Sequence, residues 1–255
     1  MMLTDTHTHL LDERFSETRR QIIDNLGEDN IAFIIECGTD AEDSQKAVEL
    51  ARAHQKIYCA VGVHPHSASE YTNETEEILA GLSRDPNVVA IGEIGLDFHY
   101  DFSPRDVQEK VFAAQIALAK KLNLPVVVHS REASEATFQI LNGADVRGEL
   151  HCFSGSAEMA MRYVEKGFYI AFGGSITFKN ARKVVEAAQA VPLSRILIET
   201  DCPYLAPEPM RGKTNQPAYV RYVAAKLAEI KGLTIEEIAQ AAKKNATDLF
   251  SLSED

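Results

Sequence analysis

The 255-residue sequence predicts an α/β protein, a (β/α)8 barrel with extra C-terminal helices, carried as one domain over residues 1–255. Three observations point to that class. Short apolar, β-branched runs recur along the whole chain, segments with helical apolar spacing separate them, and the length is typical of one such barrel.

The runs are Leu3–His7, Ile31–Thr39, Ile57–His64, Val88–Leu96, Val126–His129, Glu149–Phe153, Tyr169–Gly173 and Ile196–Asp201, which makes eight candidate strands. Continuous stretches such as Ile34-Ile35 and Val126-Val127-Val128 fit strands buried on both faces, as in a parallel sheet; a half-exposed antiparallel strand would alternate. Helical spacing marks Ala41–His54, Arg105–Leu122, Glu132–Leu141 and Ala181–Ala190, each following a run. After the eighth run a Pro-rich stretch, Pro203 to Pro217, leads into two amphipathic segments, Ala218–Ile230 and Ile235–Phe250. Gly232 is placed to end the first, and Thr234 with Glu237 forms a capping box that opens the second. An open doubly wound sheet shares the periodicity, but no glycine-rich phosphate fingerprint follows the first run. Gly173-Gly174-Ser175 reads as a tight turn, and Gly212-Lys213-Thr214 lacks the upstream glycine of a phosphate-binding loop, with Pro207 in its place.

Composition narrows the function classes. No stretch approaches the apolar length of a membrane span, and the N-terminus lacks the basic-then-apolar order of a signal peptide, so the expected location is cytoplasmic. Cys37, Cys59, Cys152 and Cys202 are scattered without metal-binding or disulfide-scaffold spacing, and read as small buried hydrophobes. A net charge of −12 argues against a protein coated by nucleic acid through a general basic surface. It leaves room for an enzyme that meets phosphate with metal ions and a few local cations.

Potential metal ligands collect at the downstream ends of the runs: His7 and His9, His64 and His66, Glu93, His129, His151 and Asp201. Strand C-termini are where a (β/α)8 barrel assembles its active site from residues distant in sequence. His7 and His9 are two apart, so on an extended strand both imidazoles project to one side and can share an ion. Glu93 sits among apolar residues in Ala90–Leu96, where an unpaired carboxylate is costly and a cation, from a metal or a salt bridge, is required. His129, His151 and Asp201 taken singly suit a core histidine or a turn residue; one dinuclear site accounts for all of them together.

The motifs Asp5-Thr6-His7-Thr8-His9-Leu10, Gly62-Val63-His64-Pro65-His66, Gly92-Glu93-Ile94-Gly95-Leu96-Asp97, His129-Ser130-Arg131 and His151-Cys152-Phe153-Ser154-Gly155 occur in that order. Glu199-Thr200-Asp201-Cys202-Pro203-Tyr204-Leu205, Arg211-Gly212-Lys213-Thr214-Asn215 and Asn245-Ala246 follow. Over essentially its whole length the sequence thereby resembles the TatD family of metal-dependent deoxyribonucleases, within the amidohydrolase-like metallohydrolases. The resemblance implies a (β/α)8 barrel, two divalent ions and phosphodiester hydrolysis of DNA, described for the family as magnesium-dependent DNase or 3′-to-5′ exonuclease activity. It further implies that His7, His9, Glu93 and Asp201 hold one ion and Glu93, His129 and His151 the other, with Glu93 as the bridge. No Lys occurs in Val88–Leu96 to serve as a carbamylated bridge instead. Gln216 departs from the family, lying where related sequences often carry an acidic residue.

On this reading Asp201 and Glu93 are catalytic, and Asp201 orients or deprotonates the attacking water. His64, Arg131, Arg211 and Lys213 are candidate contacts to substrate phosphate. The expected partner is DNA, single-stranded or at strand ends, with no organic cofactor. Imidazole-rich donors favour Mn or Zn beside the family's Mg. A metal-dependent ester or amide hydrolase, acting on an aminoacyl ester or a lactone, would use the same ligands, whereas a non-catalytic metal-bearing interaction protein has no need of an open dinuclear site.

Overall fold

All the expected strands form in the computed structural model, which describes residues 1–252. β1 (Leu3–Thr8), β2 (Ile31–Cys37), β3 (Ile57–Val61), β4 (Val88–Asp97), β5 (Val126–Arg131), β6 (Gly148–Leu150), β7 (Tyr169–Phe172) and β8 (Ile196–Ile198) follow one another in chain order in one eight-stranded sheet. The β1–β2, β3–β4, β4–β5, β5–β6 and β7–β8 pairings are all parallel. A parallel bridge from Thr8 to Cys202 returns β1 to the segment after β8. This is the topology of a (β/α)8 barrel. The helices are α1 (Arg19–Asn25), α2 (Ala41–Ala53), α3 (Asn73–Leu82), α4 (Arg105–Leu122), α5 (Ser134–Asn142), α6 (Ala157–Glu165), α7 (Arg182–Ala190), α8 (Val220–Lys231) and α9 (Ile235–Phe250).

Several ladders stop before the apolar runs do, and each stop has a local cause. β3 ends at Val61 because Pro65 opens a 3-10 turn over Pro65–Glu70. β6 and β8 end at Leu150 and Ile198, short of Cys152 and Asp201, which take left-handed backbone at φ 43° and 56°. Of the residues expected to do chemistry, His9, His64, His151 and Asp201 therefore lie on the loops after strands, whereas His7, Glu93 and His129 lie within β1, β4 and β5. Periodicity does not mark α1, α3 and α6, which bury only Ile23, only Leu79, and only Ala160 with Tyr163 respectively. So few buried positions leave no repeat to detect.

Contacts divide the chain into two compact units. The first comprises residues 1–36 and 152 onward. There every residue of β1 is buried, and α9 covers β1 and β8 with Ile238, Ala242, Ala246 and Leu249. A side chain of that kind, when fully buried, contributes about 1.5–3 kcal/mol if as large as Leu or Ile. Asn245 on the same helix donates to the carbonyls of Leu193 (2.9 Å) and Ile196 (2.8 Å), tying it to the start of β8. Gly232, at φ 66°, ends α8, and the Thr234–Glu237 capping box opens α9 as expected.

The second unit comprises residues 37–151. All ten residues of β4 are buried, and α4 packs on it through Val111, Phe112, Ile116 and Ala119. Two buried amides on α4 satisfy the backbone of the strand-end loops. Gln115 accepts from Val63 N–H (2.8 Å) and donates to its carbonyl (3.0 Å); Gln108 accepts from Asp97 N–H (2.8 Å) and donates to Asp97 (3.1 Å) and Ser103 (2.8 Å) carbonyls. The loops after β3 and β4 are thereby fixed by a helix packed outside them. Cys37, Cys59 and Cys202 are buried and Cys152 is half-buried. No helix among the described residues is long and apolar enough to cross a membrane.

Candidate metal centre

In the first unit, the exit of β1 and the loop after β8 are laced together. Asp201 N–H donates to the His7 carbonyl (3.0 Å) and His9 N–H to the Cys202 carbonyl (2.8 Å). His7 Nε2 and His9 Nε2 stand 3.1 Å apart, and Asp201 Oδ1 lies 3.6 Å from His9 Nε2. The two imidazoles thus face one point, as their spacing predicts. Asp5, buried beneath them, accepts from Thr200 N–H (2.8 Å) and Thr200 Oγ1 (2.6 Å), while Asn215 donates to the Thr200 carbonyl (2.8 Å). Both ends of Thr200 are held, which sets the direction of Asp201 beside it. Glu36, at the end of β2, accepts from Thr8 Oγ1 (2.8 Å), Leu10 N–H (2.8 Å) and Leu11 N–H (2.9 Å), and so fixes the turn that carries His9. Burial pushes the Asp5 and Glu36 carboxyls above their usual range, against the pull of these hydrogen bonds.

In the second unit, Glu93 is the hub. Its Oε1 lies 2.8 Å from His129 Nδ1, 3.4 Å from His151 Nε2 and 3.5 Å from His64 Nε2. Glycines let β4 and β5 approach closely enough for this. At Gly95, with φ 146°, a Cβ would collide with the His129 carbonyl, and at Gly92 one would press on Val127. Asp97, at the end of β4, contributes Oδ2 to both His66 Nε2 (3.0 Å) and His129 Nε2 (3.2 Å). His129 therefore has a carboxylate on each ring nitrogen, so binding an ion through one leaves the other oriented.

Charge in this cluster follows from these contacts. Burial alone would depress His129, but its bonds to Asp97 and Glu93 prevail and raise it to about 9. For Asp97 burial pushes upward, and the bonds from His129, Tyr100 N–H and His66 more than offset it, leaving the carboxyl well below its usual range. At His64 desolvation prevails over the attraction of Glu93 and lowers it to about 4, so this ring is neutral at pH 7.

Each unit thus holds imidazole nitrogens and carboxylate oxygens within 4.8 Å of one another: His7, His9 and Asp201 in one, His64, Glu93 and His129 in the other. Mixed nitrogen and oxygen donors at such spacing are a divalent-metal donor set, so the residues present fit a metal. The structure draws His64 into the Glu93 cluster, where as a neutral ring it can offer a lone pair or an N–H but not a charge. Arg131 is exposed with its guanidinium 4.7 Å over the Tyr100 ring. Arg211 and Lys213 are also exposed; Arg211 stands over Phe178 (4.1 Å) and donates to the Ala206 carbonyl (3.3 Å).

Sequence reasoning assigned no role to Asp5, Glu36, Asp97 or Asn215. Asp5 and Asp97 carried a usable signal, since each is a carboxylate within or ending an apolar run, as Glu93 is. Asn215 and Gln108 carried none, because an amide that caps a distant loop looks like any surface amide.

The family model described as TatD related DNase matches residues 4–251. The uncharacterized metal-dependent hydrolase YabD of Bacillus subtilis is 45% identical over 255 residues, covering 99% of this chain and 100% of YabD. A protein of Erwinia amylovora named 3′-5′ ssDNA/RNA exonuclease TatD is 36% identical over 258 residues, covering 97% of this chain and 99% of its own. Among solved structures, the TatD homolog YJJV of Escherichia coli K12 superimposes with a TM-score of 0.93 at 32% identity, over 98% of each chain.

Proposed function

The chain belongs to the TatD-related DNase family of metal-dependent hydrolases, and from that premise we propose that it hydrolyses phosphodiester bonds of single-stranded nucleic acid from a strand end. The observation that carries the proposal is the pair of imidazole–carboxylate clusters, one in each unit, built from strands and the loops that follow them. A family relative named as a 3′-5′ ssDNA/RNA exonuclease supports the choice of a nucleic acid and of a strand end. We assign one divalent ion to His7, His9 and Asp201 and a second to Glu93, His129 and His151, with His64 adjacent. That Glu93 also serves the first ion is the expectation of the family resemblance. Bound ions of this kind polarise a phosphoryl oxygen and make a water nucleophilic near neutral pH. The imidazole-rich donors favour Mn or Zn as resident ions, with Mg able to support activity.

The chain's own groups divide the remaining work. The Asp201 side chain is 13% exposed, so its carboxylate is within reach of water yet held by its backbone bond to β1; it orients the attacking water and takes its proton. Glu93 and His129 hold their relative positions through their 2.8 Å contact. Arg131, exposed beside this cluster, meets the negative charge of the substrate phosphate, and Arg211 and Lys213, also exposed, are further phosphate contacts. The experiment is hydrolysis by the metal-loaded protein of single-stranded DNA, RNA, an aminoacyl ester and a lactone, side by side. Turnover of the oligonucleotides, with release of mononucleotides from the 3′ end, is the expected result; turnover of the ester or lactone alone would replace the nuclease reading with the ester hydrolase one.

A further inference from the structure

Beside the Glu93 cluster, in the same unit, the loop between β4 and α4 carries two large aromatic side chains in solvent. Phe102 is 67% exposed and Tyr100 48%. Unpaired rings in water usually turn aside and bury what they can, but these two lie nearly parallel, 9° between planes and 5.2 Å between centroids, and Phe102 keeps most of its surface in solvent. Their position is enforced from behind. His66 meets Tyr100 and Phe102 edge to face at 5.5 and 4.8 Å, and His66 itself is bonded to Asp97, the carboxylate that also holds His129. Asp97 Oδ1 accepts from the N–H groups of His99 and Tyr100 (both 3.0 Å), and Ser103 Oγ donates to the His66 carbonyl (2.9 Å). The loop is anchored at both ends of the ring pair.

Charge around the rings is also arranged. Asp101 is taken up by Arg105 (2.7 Å) and Glu132 by His99 (2.7 Å), so the nearby carboxylates have cationic or hydrogen-bonding partners. Arg131 lies over the Tyr100 ring and forms no ion pair among the described residues. An exposed ring surface beside a guanidinium that makes no ion pair among the described residues matches the chemistry of one unpaired nucleotide: a base to stack and a phosphate to neutralise.

We propose that Tyr100 and Phe102 form a stacking platform for an unpaired nucleobase of the substrate strand, with Arg131 on the adjoining phosphate. The inference rests on the proposed nucleic-acid reading and deepens it, because a base can stack there only when it is not paired. It explains a preference for single strands without any base-specific contact, and it predicts tolerance of sequence, since every base offers a ring surface. A protein partner would call for a wider apolar patch than two rings.

The chain contains no Trp, so Phe102→Trp gives a single indole reporter at the platform. In a metal-loaded Phe102→Trp, Asp201→Asn protein, a short oligothymidylate should quench this indole, and an oligomer of the same length with abasic sugars should not. In the Asp201→Asn background alone, oligothymidylate should bind more tightly than the abasic strand by roughly 5- to 100-fold per stacked base. Phe102→Ala and Tyr100→Ala should erase that discrimination, and Tyr100→Phe should keep it. Equal binding of the two strands, or an indole indifferent to both, overturns the platform. So does an indole that shifts with protein concentration and not with DNA, which would make the rings a contact between copies of the chain. Cleavage is read separately: cleavage without quenching removes the platform and leaves the nuclease, whereas quenching without cleavage keeps the platform and removes the nuclease.

Discussion

Asp201 and His129 show how single side chains set the chemistry. Asp201→Asn keeps the size and the backbone bonds of the residue while removing its charge and its capacity to take a proton. Oligonucleotide hydrolysis should fall by at least about 10²-fold, with the unfolding transition little changed; near-parent turnover at saturating metal would remove Asp201 from both roles. His129 makes a prediction about pH. Its value in the metal-free fold, about 9, lies above the ordinary 6.5, so the stabilisation it supplies is complete below pH 6.5 and is lost as pH rises through about 9. His64 acts with the opposite sign: held near 4 instead of 6.5, it costs the metal-free fold stability as pH falls from about 6.5 toward 4. Denaturant unfolding of metal-free protein across pH should therefore show a maximum near neutrality, flattened on the alkaline side by His129→Gln and on the acid side by His64→Gln. A monotonic profile in the parent would show that at least one of the two rings does not titrate as its surroundings dictate. A metal entering the Glu93 cluster at pH 7 must also displace a proton, so calorimetric titrations should report proton release that depends on His129.

At the scale of the element, what matters is how close a strand can come to its neighbour. Gly95 occupies a conformation, φ 146°, that other residues rarely adopt, and a Cβ there would meet the carbonyl of His129. Gly232 also has a positive φ, 66°, but nothing lies within 4 Å of the added atom. Gly95→Ala should thus cost more than Gly232→Ala, for which the left-handed backbone alone costs about 1–2 kcal/mol. Urea unfolding of the two metal-free variants compares them directly. Only Gly95→Ala should also weaken metal binding, because it moves β5 and with it His129 away from Glu93. Equal losses for the two variants would mean that the close approach of β4 and β5 is not what brings that pair together. The strand ends make a related point about legibility. The apolar runs that predict β3, β6 and β8 overrun the observed ladders because β-branched and apolar residues report burial, and the loops after these strands are buried too.

For the whole molecule, two balances are testable: metal against protein and charge against nucleic acid. Reconstituted protein should hold about two divalent ions per chain, measured by elemental analysis, and its midpoint of unfolding should climb with free metal by mass action. A full complement of one ion, unchanged at raised metal, would eliminate the second centre. With a net charge of −12 the chain has few cations to spare, so binding of single-stranded DNA by the Asp201→Asn protein should engage about two or three phosphates, each adding about −0.7 to the log–log salt slope. Arg211→Ala with Lys213→Ala should flatten the slope, and an unchanged slope would place these residues outside the binding path. The amino-acid sequence alone determined the fold class, the order of its strands, the closing helices with their Gly232 and Thr234 signals, and the imidazoles and carboxylates at the strand ends. Those follow from periodicity and residue type, which are local properties of a chain. Only the tertiary structure decided that Asp97 joins His66 to His129, that Asp5 and Asn215 hold Thr200 beside Asp201, and that Tyr100 and Phe102 stack in the open. The reason is physical: such contacts depend on how loops turn and how closely strands approach, and distances of that kind between residues remote in sequence leave no repeat for a pattern to reveal.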